Sequence, residues 1–143
     1  MSHRRSRGFT LLELTVVLAI GGVLVAVGLR QAHRYLDKVA TRAAVAEAAL
    51  VIAEAREMAL AQHAFVAMRI DTASRSISLV ARGERMALHA LGHQHGVTLA
   101  ANRDSIAFDV RGLGYGASNL TLVVKRGAAA DTLVVSRLGR TRY

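Results

Sequence analysis

The chain reads as an α+β protein in which one long N-terminal helix, membrane-spanning in its first half, packs on a C-terminal antiparallel β-sheet or sandwich. Three observations predict this. From Phe9 to Leu29 run 21 residues with a single ionisable group, Glu13. From Arg30 apolar residues recur every three or four positions with no proline to interrupt them, the period of one helical face. After Gln62 the period falls to two, and glycine, asparagine and aspartate punctuate short apolar runs, the pattern of strands joined by turns.

Residues 1–8 form a short basic leader carrying Arg4, Arg5 and Arg7, a segment to set aside from the fold. At about 1.5 Å rise per residue the apolar run makes ~31 Å of helix, close to the hydrocarbon thickness of a bilayer. A plain anchor has no use for a carboxylate five residues in. A central acidic side chain costs roughly 3 kcal/mol to insert, somewhat less near a helix end. Glu13 therefore needs a cationic partner. Thr15/Ala19 and Gly22/Ala26 are small pairs at four-residue spacing, which lets helices approach closely, although chance also produces them in so small-residue-rich a segment. Gly21-Gly22 costs about 1 kcal/mol per glycine against alanine and marks the expected point of local melting.

Other readings of this segment fit less well. A cleaved secretory signal has an apolar core of about 7–15 residues and an A-x-A-like site; Ala26-Val27-Gly28 approaches such a site, but the core is too long and holds Glu13. An uncleaved anchor leaves Glu13 without a role. Arg4, Arg5 and Arg7 on one flank and Arg30, Arg34, Lys38 and Arg42 on the other leave its orientation open. A buried soluble helix would need cover on every side.

From Arg30 the expected apolar stripe is Leu36, Val39, Ala43, Ala46, Leu50 and Ala53, with Arg34, Lys38, Arg42, Glu47, Glu54 and Arg56 on other faces. One helix from Phe9 to about Gln62 follows, 9–29 spanning and 30–62 amphipathic. Residues 63–143 form the β-rich domain. Strands are expected at 65–70, 76–80, 86–88, 97–99, 105–108, 120–124 and 132–136. Arg126-Gly127-Ala128-Ala129-Ala130-Asp131 joins the last two as a hairpin loop. Arg111-Gly112-Leu113-Gly114-Tyr115-Gly116, with three alternating glycines, reads as a loop of unusual backbone angles. No helix follows it to offer a phosphate-binding N-terminus.

Gly8-Phe9-Thr10-Leu11-Leu12-Glu13 behind a basic leader resembles the processing site of type IV pilins and type II secretion pseudopilins. The resemblance implies cleavage between Gly8 and Phe9 by prepilin peptidase and N-methylation of Phe9. It also implies pairing of Glu13 with the N-terminal amine of a neighbouring subunit, which supplies the partner that burial demands. Phe108-Asp109-Val110-Arg111-Gly112 with Val134-Val135-Ser136-Arg137-Leu138-Gly139-Arg140 resembles the C-terminal domain of the GspH/FimT group of minor pilins. A pilin-like fold is implied. So is a non-enzymatic subunit in the inner membrane, C-terminal domain in the periplasm, assembled with other subunits into a pseudopilus or pilus. The chain lacks both the proline that often kinks major pilins and the disulfide of many relatives. The missing proline tilts it toward a minor subunit, and the missing cysteines leave the C-terminal region to be held by packing alone.

No cysteine, carboxylate pair or Ser/His/Asp grouping stands out for catalysis, and no cofactor is expected. His89, His93 and His95 could bind a divalent metal through imidazole. Gly92 and Gly96 place the last two in a loop with no carboxylate close in sequence, so solvated loop histidines and no metal are expected. The formal charge is +9 over 143 residues and +6 without the leader arginines, which favours anionic partners such as DNA or lipid head groups. Arg137-Leu138-Gly139-Arg140-Thr141-Arg142-Tyr143 places Arg140 and Arg142 on one side of an extended tail, where they can contact phosphates. Tyr143 can stack on a base. Gly139-Arg140-Thr141-Arg142 resembles the GRxR tail through which FimT-type minor pilins bind DNA. That resemblance implies Arg140 and Arg142 as contacts, with Arg137, Lys125 and Arg126 as auxiliaries.

Overall fold

The computed structural model describes residues 10–116, 119–137 and 139–143. The chain divides into two compact units, one ending at Tyr35 and the other Leu36–Tyr143.

The described part of the first unit is helix. α1 (Leu11–Gln62) opens at an N-cap: the Thr10 hydroxyl accepts the Glu13 N–H at 3.2 Å and the Thr10 carbonyl accepts the Leu14 N–H at 3.1 Å. The cap satisfies one of the donors that every helix start leaves without a partner. The described helix begins at Leu11; the expected start at Phe9, with Gly8, lies outside the described residues. It runs unbroken through Gly21-Gly22, so the melting expected there is absent. Leu11, Leu12, Leu18, Val23 and Leu24 are all more than 60% exposed. By length and composition the helix is apolar enough to cross a membrane.

In the second unit α1 buries Thr41, Ala44, Val45, Ala48, Val51, Ile52, Ala55 and Ala59. The period is the expected one, but the face is different. Of the stripe expected from sequence, Leu36, Val39 and Leu50 are 58, 46 and 69% exposed and Ala46 is half-buried. This alanine-rich stretch carries apolar residues on more than one face. The sheets meet the one with four alanines, whose missing side chains let the helix backbone lie close, while bulkier leucines point outward.

Among the described residues nine strands and one short helix follow: β1 (Val66–Asp71), β2 (Ser76–Ala81), β3 (Glu84–His89), α2 (Leu91–His95), β4 (Thr98–Ala101), β5 (Ser105–Phe108), β6 (Gly114–Tyr115), β7 (Leu120–Arg126), β8 (Ala129–Val135) and β9 (Thr141–Arg142). The pairings among the described residues are all antiparallel, in two sheets of order β3-β2-β1-β5-β6 and β4-β7-β8-β9. Alternation is clean: Val66, Met68 and Ile70 of β1 point inward, as do Leu120, Leu122 and Val124 of β7. Both sheets and the buried face of α1 share one apolar core, with Phe108, Ile52, Met68 and Leu122 among its largest members.

Each strand expected from sequence is present, and the hairpin is tighter than expected. Arg126 pairs with Ala129, leaving Gly127-Ala128 as the turn. Part of the glycine-rich segment is strand, since Gly114 and Tyr115 pair with Phe108 and Ala107. The C-terminal tail is likewise strand, Arg142 opposite Val134 and Thr141 opposite Val135.

Candidate functional site

The turn between β8 and β9 sets the position of the C-terminal arginines. Ser136 N–H donates to the Arg140 carbonyl at 2.8 Å, Gly139 N–H to the Ser136 carbonyl at 2.8 Å, and Arg140 N–H to the Ser136 hydroxyl at 3.1 Å. Gly139 takes φ +74°, and a Cβ there would stand 3.3 Å from Phe108 Cε1 and 3.4 Å from Arg56 Nε. Arg56 of α1 reaches the same turn: its Nη1 donates to the Gly139 carbonyl at 3.4 Å and its Nε to the Gly112 carbonyl at 3.0 Å. One guanidinium thus ties the helix to two glycine turns that are 27 residues apart in sequence.

Arg140 and Arg142 are exposed on either side of half-buried Thr141, and Arg137 is exposed in the turn. Tyr143 is 72% exposed. Among the described residues none of these arginines has an acidic partner, so their donors are available to an anion. Lys125 is exposed as well. Arg126 differs: Nε donates to Asp37 Oδ1 at 3.1 Å and Nη1 to the His95 carbonyl at 2.6 Å, so it is a structural bridge. Beside the C-terminus lies a shallow depression of about 410 Å³ lined by Arg42, Ala46, Asp131 and Tyr143. A neighbouring one, sharing Arg42 and Asp131, adds Lys38. Lys38 and Arg42, one helical turn apart on α1, are cations near the tail that sequence reasoning did not connect with it.

The glycine-rich turn after β5 is organised by Asp109. Its carboxylate accepts N–H donors from Arg111 and Leu113, each at 2.9 Å, and the Arg111 guanidinium at 2.9 and 3.0 Å. The Leu113 N–H, against the opposing effect of burial and with help from Arg111, holds the carboxyl below the usual aspartate range. Donors aimed at a carboxylate favour its charged form. The carboxylate thus takes up the Arg111 and Leu113 N–H donors of the glycine run.

At the other end, Glu13 is exposed in the first turn of α1. The cleavage position expected between Gly8 and Phe9 falls outside the described residues.

The histidines depart from the expectation of solvated loop groups. His89 closes β3 and His95 closes α2, a helix absent from the sequence-based expectation. His95 Nε2 lies 2.6 Å from Glu47 Oε2 and His89 Nε2 lies 3.2 Å from Glu54 Oε2. His93 is exposed. The carboxylates missing nearby in sequence come from α1, more than 30 positions upstream. Among the described residues no group of three or more such side chains is arranged to hold a metal ion.

Residues 3–29 match the prokaryotic N-terminal methylation motif. No curated protein sequence matches the chain. Among solved structures the fold is similar to that of the type IV minor pilin FimU of Pseudomonas aeruginosa in two crystal forms. The first aligns with a TM-score of 0.59 at 16% identity, covering 71% of this chain and 86% of that one. The second aligns at 0.57 and 16%, covering 71% and 90%. The chain thus joins a prokaryotic N-terminal methylation motif to a fold similar to that of a type IV minor pilin.

Proposed function

We propose that the chain is a minor pilin or pseudopilin of the GspH/FimT kind. Prepilin peptidase cuts it between Gly8 and Phe9, and residues 9–29 anchor it in the inner membrane with the C-terminal domain in the periplasm. It then assembles with other subunits into a type II secretion pseudopilus or a type IV pilus. The observation that carries this is Glu13: a lone acid in the first turn of an exposed apolar helix, inside the methylation motif. Mass spectrometry of the protein from its native host tests it. The expected species lacks Met1–Gly8 and carries one methyl group on the Phe9 amine. A chain with its leader intact overturns the proposal.

A second reading, DNA binding for uptake, draws on a specific observation. The β8–β9 turn carries Arg140 and β9 carries Arg142, both exposed and without acidic partners among the described residues, with Arg137, Lys38 and Arg42 as further cations and Tyr143 exposed for stacking. Phosphate contacts of this kind release counterions, so affinity for duplex DNA falls steeply with salt. In a titration of the full chain in detergent, Arg140→Ala with Arg142→Ala should reduce the slope of log K against log salt by up to about two. Unchanged binding by the double variant would end this reading.

A further inference from the structure

Two histidines and two glutamates meet at a place the filament reading does not use. Glu47 and Glu54 stand two helical turns apart on α1, and His89 lies between them. Its Nδ1 is 3.9 Å from Glu47 Oε1 and its Nε2 is 3.2 Å from Glu54 Oε2. His95 Nε2 is 2.6 Å from Glu47 Oε2. The Gln94 amide, turned to present its NH2, reaches the two Glu47 oxygens at 2.8 and 3.2 Å.

Each ring nitrogen of His89 therefore faces a carboxylate oxygen. A neutral imidazole offers one N–H and one lone pair, so either tautomer aims a lone pair at an anion; only the imidazolium presents a donor to both. Nε2 is also buried and makes no hydrogen bond among the described residues. The four side chains form a chain, Glu54–His89–Glu47–His95, and among the described residues no group of three or more is arranged to hold a metal ion.

The surrounding charges sharpen the point. Arg126 of β7, which touches the His95 carbonyl, is balanced by Asp37 of α1. Opposite His89, β2 contributes Ile77. The Arg75 side chain packs against Gly92 of α2 and makes no ion pair with Glu47 or Glu54. With both imidazoles neutral the cluster holds two carboxylates and no balancing cation; with both protonated it is neutral. Imidazole is the side chain that changes charge between about pH 8 and pH 5.

We propose that this cluster is a pH-responsive clasp. Protonation of His89 and His95 fastens the β3–α2 segment to α1, and deprotonation lets it open. The segment suits such control. β3 is an outer strand, paired among the described residues with β2, and α2 has five residues, held by buried Leu91 and by the Gly92 N–H on the Arg75 carbonyl at 2.8 Å, so the ion pairs add to a limited set of contacts.

Amide hydrogen exchange on the full chain in detergent with a chelator tests this, corrected for intrinsic rates, at about pH 5.5 and about pH 8. Protection of residues 85–96 should be about threefold to tenfold greater at the lower pH, the range two partly exposed ion pairs can supply. Protection of β7 and β8 should stay level. Glu47→Gln with Glu54→Gln should erase the difference, and His93→Gln should leave it intact. If the glutamine pair disturbs folding, seen as lost protection in β7 and β8, His95→Gln replaces it and should remove about half the effect. Equal protection at both pH values, or a difference that survives loss of the acids, overturns the clasp. So does zinc chloride at pH 8, without chelator, protecting the segment more than acid does, since that outcome assigns the cluster to a metal.

Discussion

Gly139 occupies a backbone conformation that an L-residue adopts at a cost of roughly 1–2 kcal/mol, and its neighbours leave little room for a methyl group. Gly139→Ala should therefore lower stability by about that amount in thermal or urea unfolding. On the DNA reading it should also weaken binding, although no charge is lost, because the turn that aims Arg140 is distorted. The tail was legible in sequence as three arginines and a tyrosine. The turn that shapes it was not, since its second anchor is Arg56, 83 residues upstream. The same limit hid the acid partners of His89 and His95, which stand 35 to 48 positions away in sequence. Spacing reveals chemistry that is local along the chain, and both of these constellations are closed by α1 lying across the sheets.

At the level of elements, period alone located α1 and every strand of four residues or more, because long amphipathic segments repeat their pattern several times. β6 and β9 have two residues each and α2 has five, too few for any period to register. The face of α1 was misjudged for a different reason. Periodicity measures how apolar a face is, whereas the sheets select the face that packs closest. A pair of substitutions separates the two criteria. Ala48→Leu, at a position with 0% exposure, should overpack the core and cost about 1–3 kcal/mol. Leu50→Ala, at 69% exposure, should change stability by less than about 0.5 kcal/mol. Urea unfolding of the two variants measures both. A reversed order would mean that α1 is docked through the stripe of Leu36, Val39 and Leu50 after all.

Across the whole molecule one electrostatic question remains: what balances Glu13. Thr10 and Glu13 have the spacing of a capping box, and an acid in the first turn gains from the helix dipole about 0.3–1 kcal/mol. That is less than the roughly 3 kcal/mol charged for an acid at the centre of a membrane helix. The local role offsets part of the cost, and on the proposed reading the Phe9 amine of an adjacent subunit supplies the rest. Glu13→Gln separates the two roles. The amide can still accept a hydrogen bond at the helix start but cannot neutralise an ammonium. The variant should enter the membrane at least as well as the parent, because an insertion cost has been removed, and its leader should still be cut after Gly8. Incorporation into filaments should fall by about a hundredfold or more, since an ammonium left unpaired in an apolar core costs roughly 3–5 kcal/mol. The ratio of processed protein in sheared filaments to that in membranes reads this directly. Equal partition of variant and parent would assign Glu13 to the helix start alone and leave subunit packing to the apolar surface of α1.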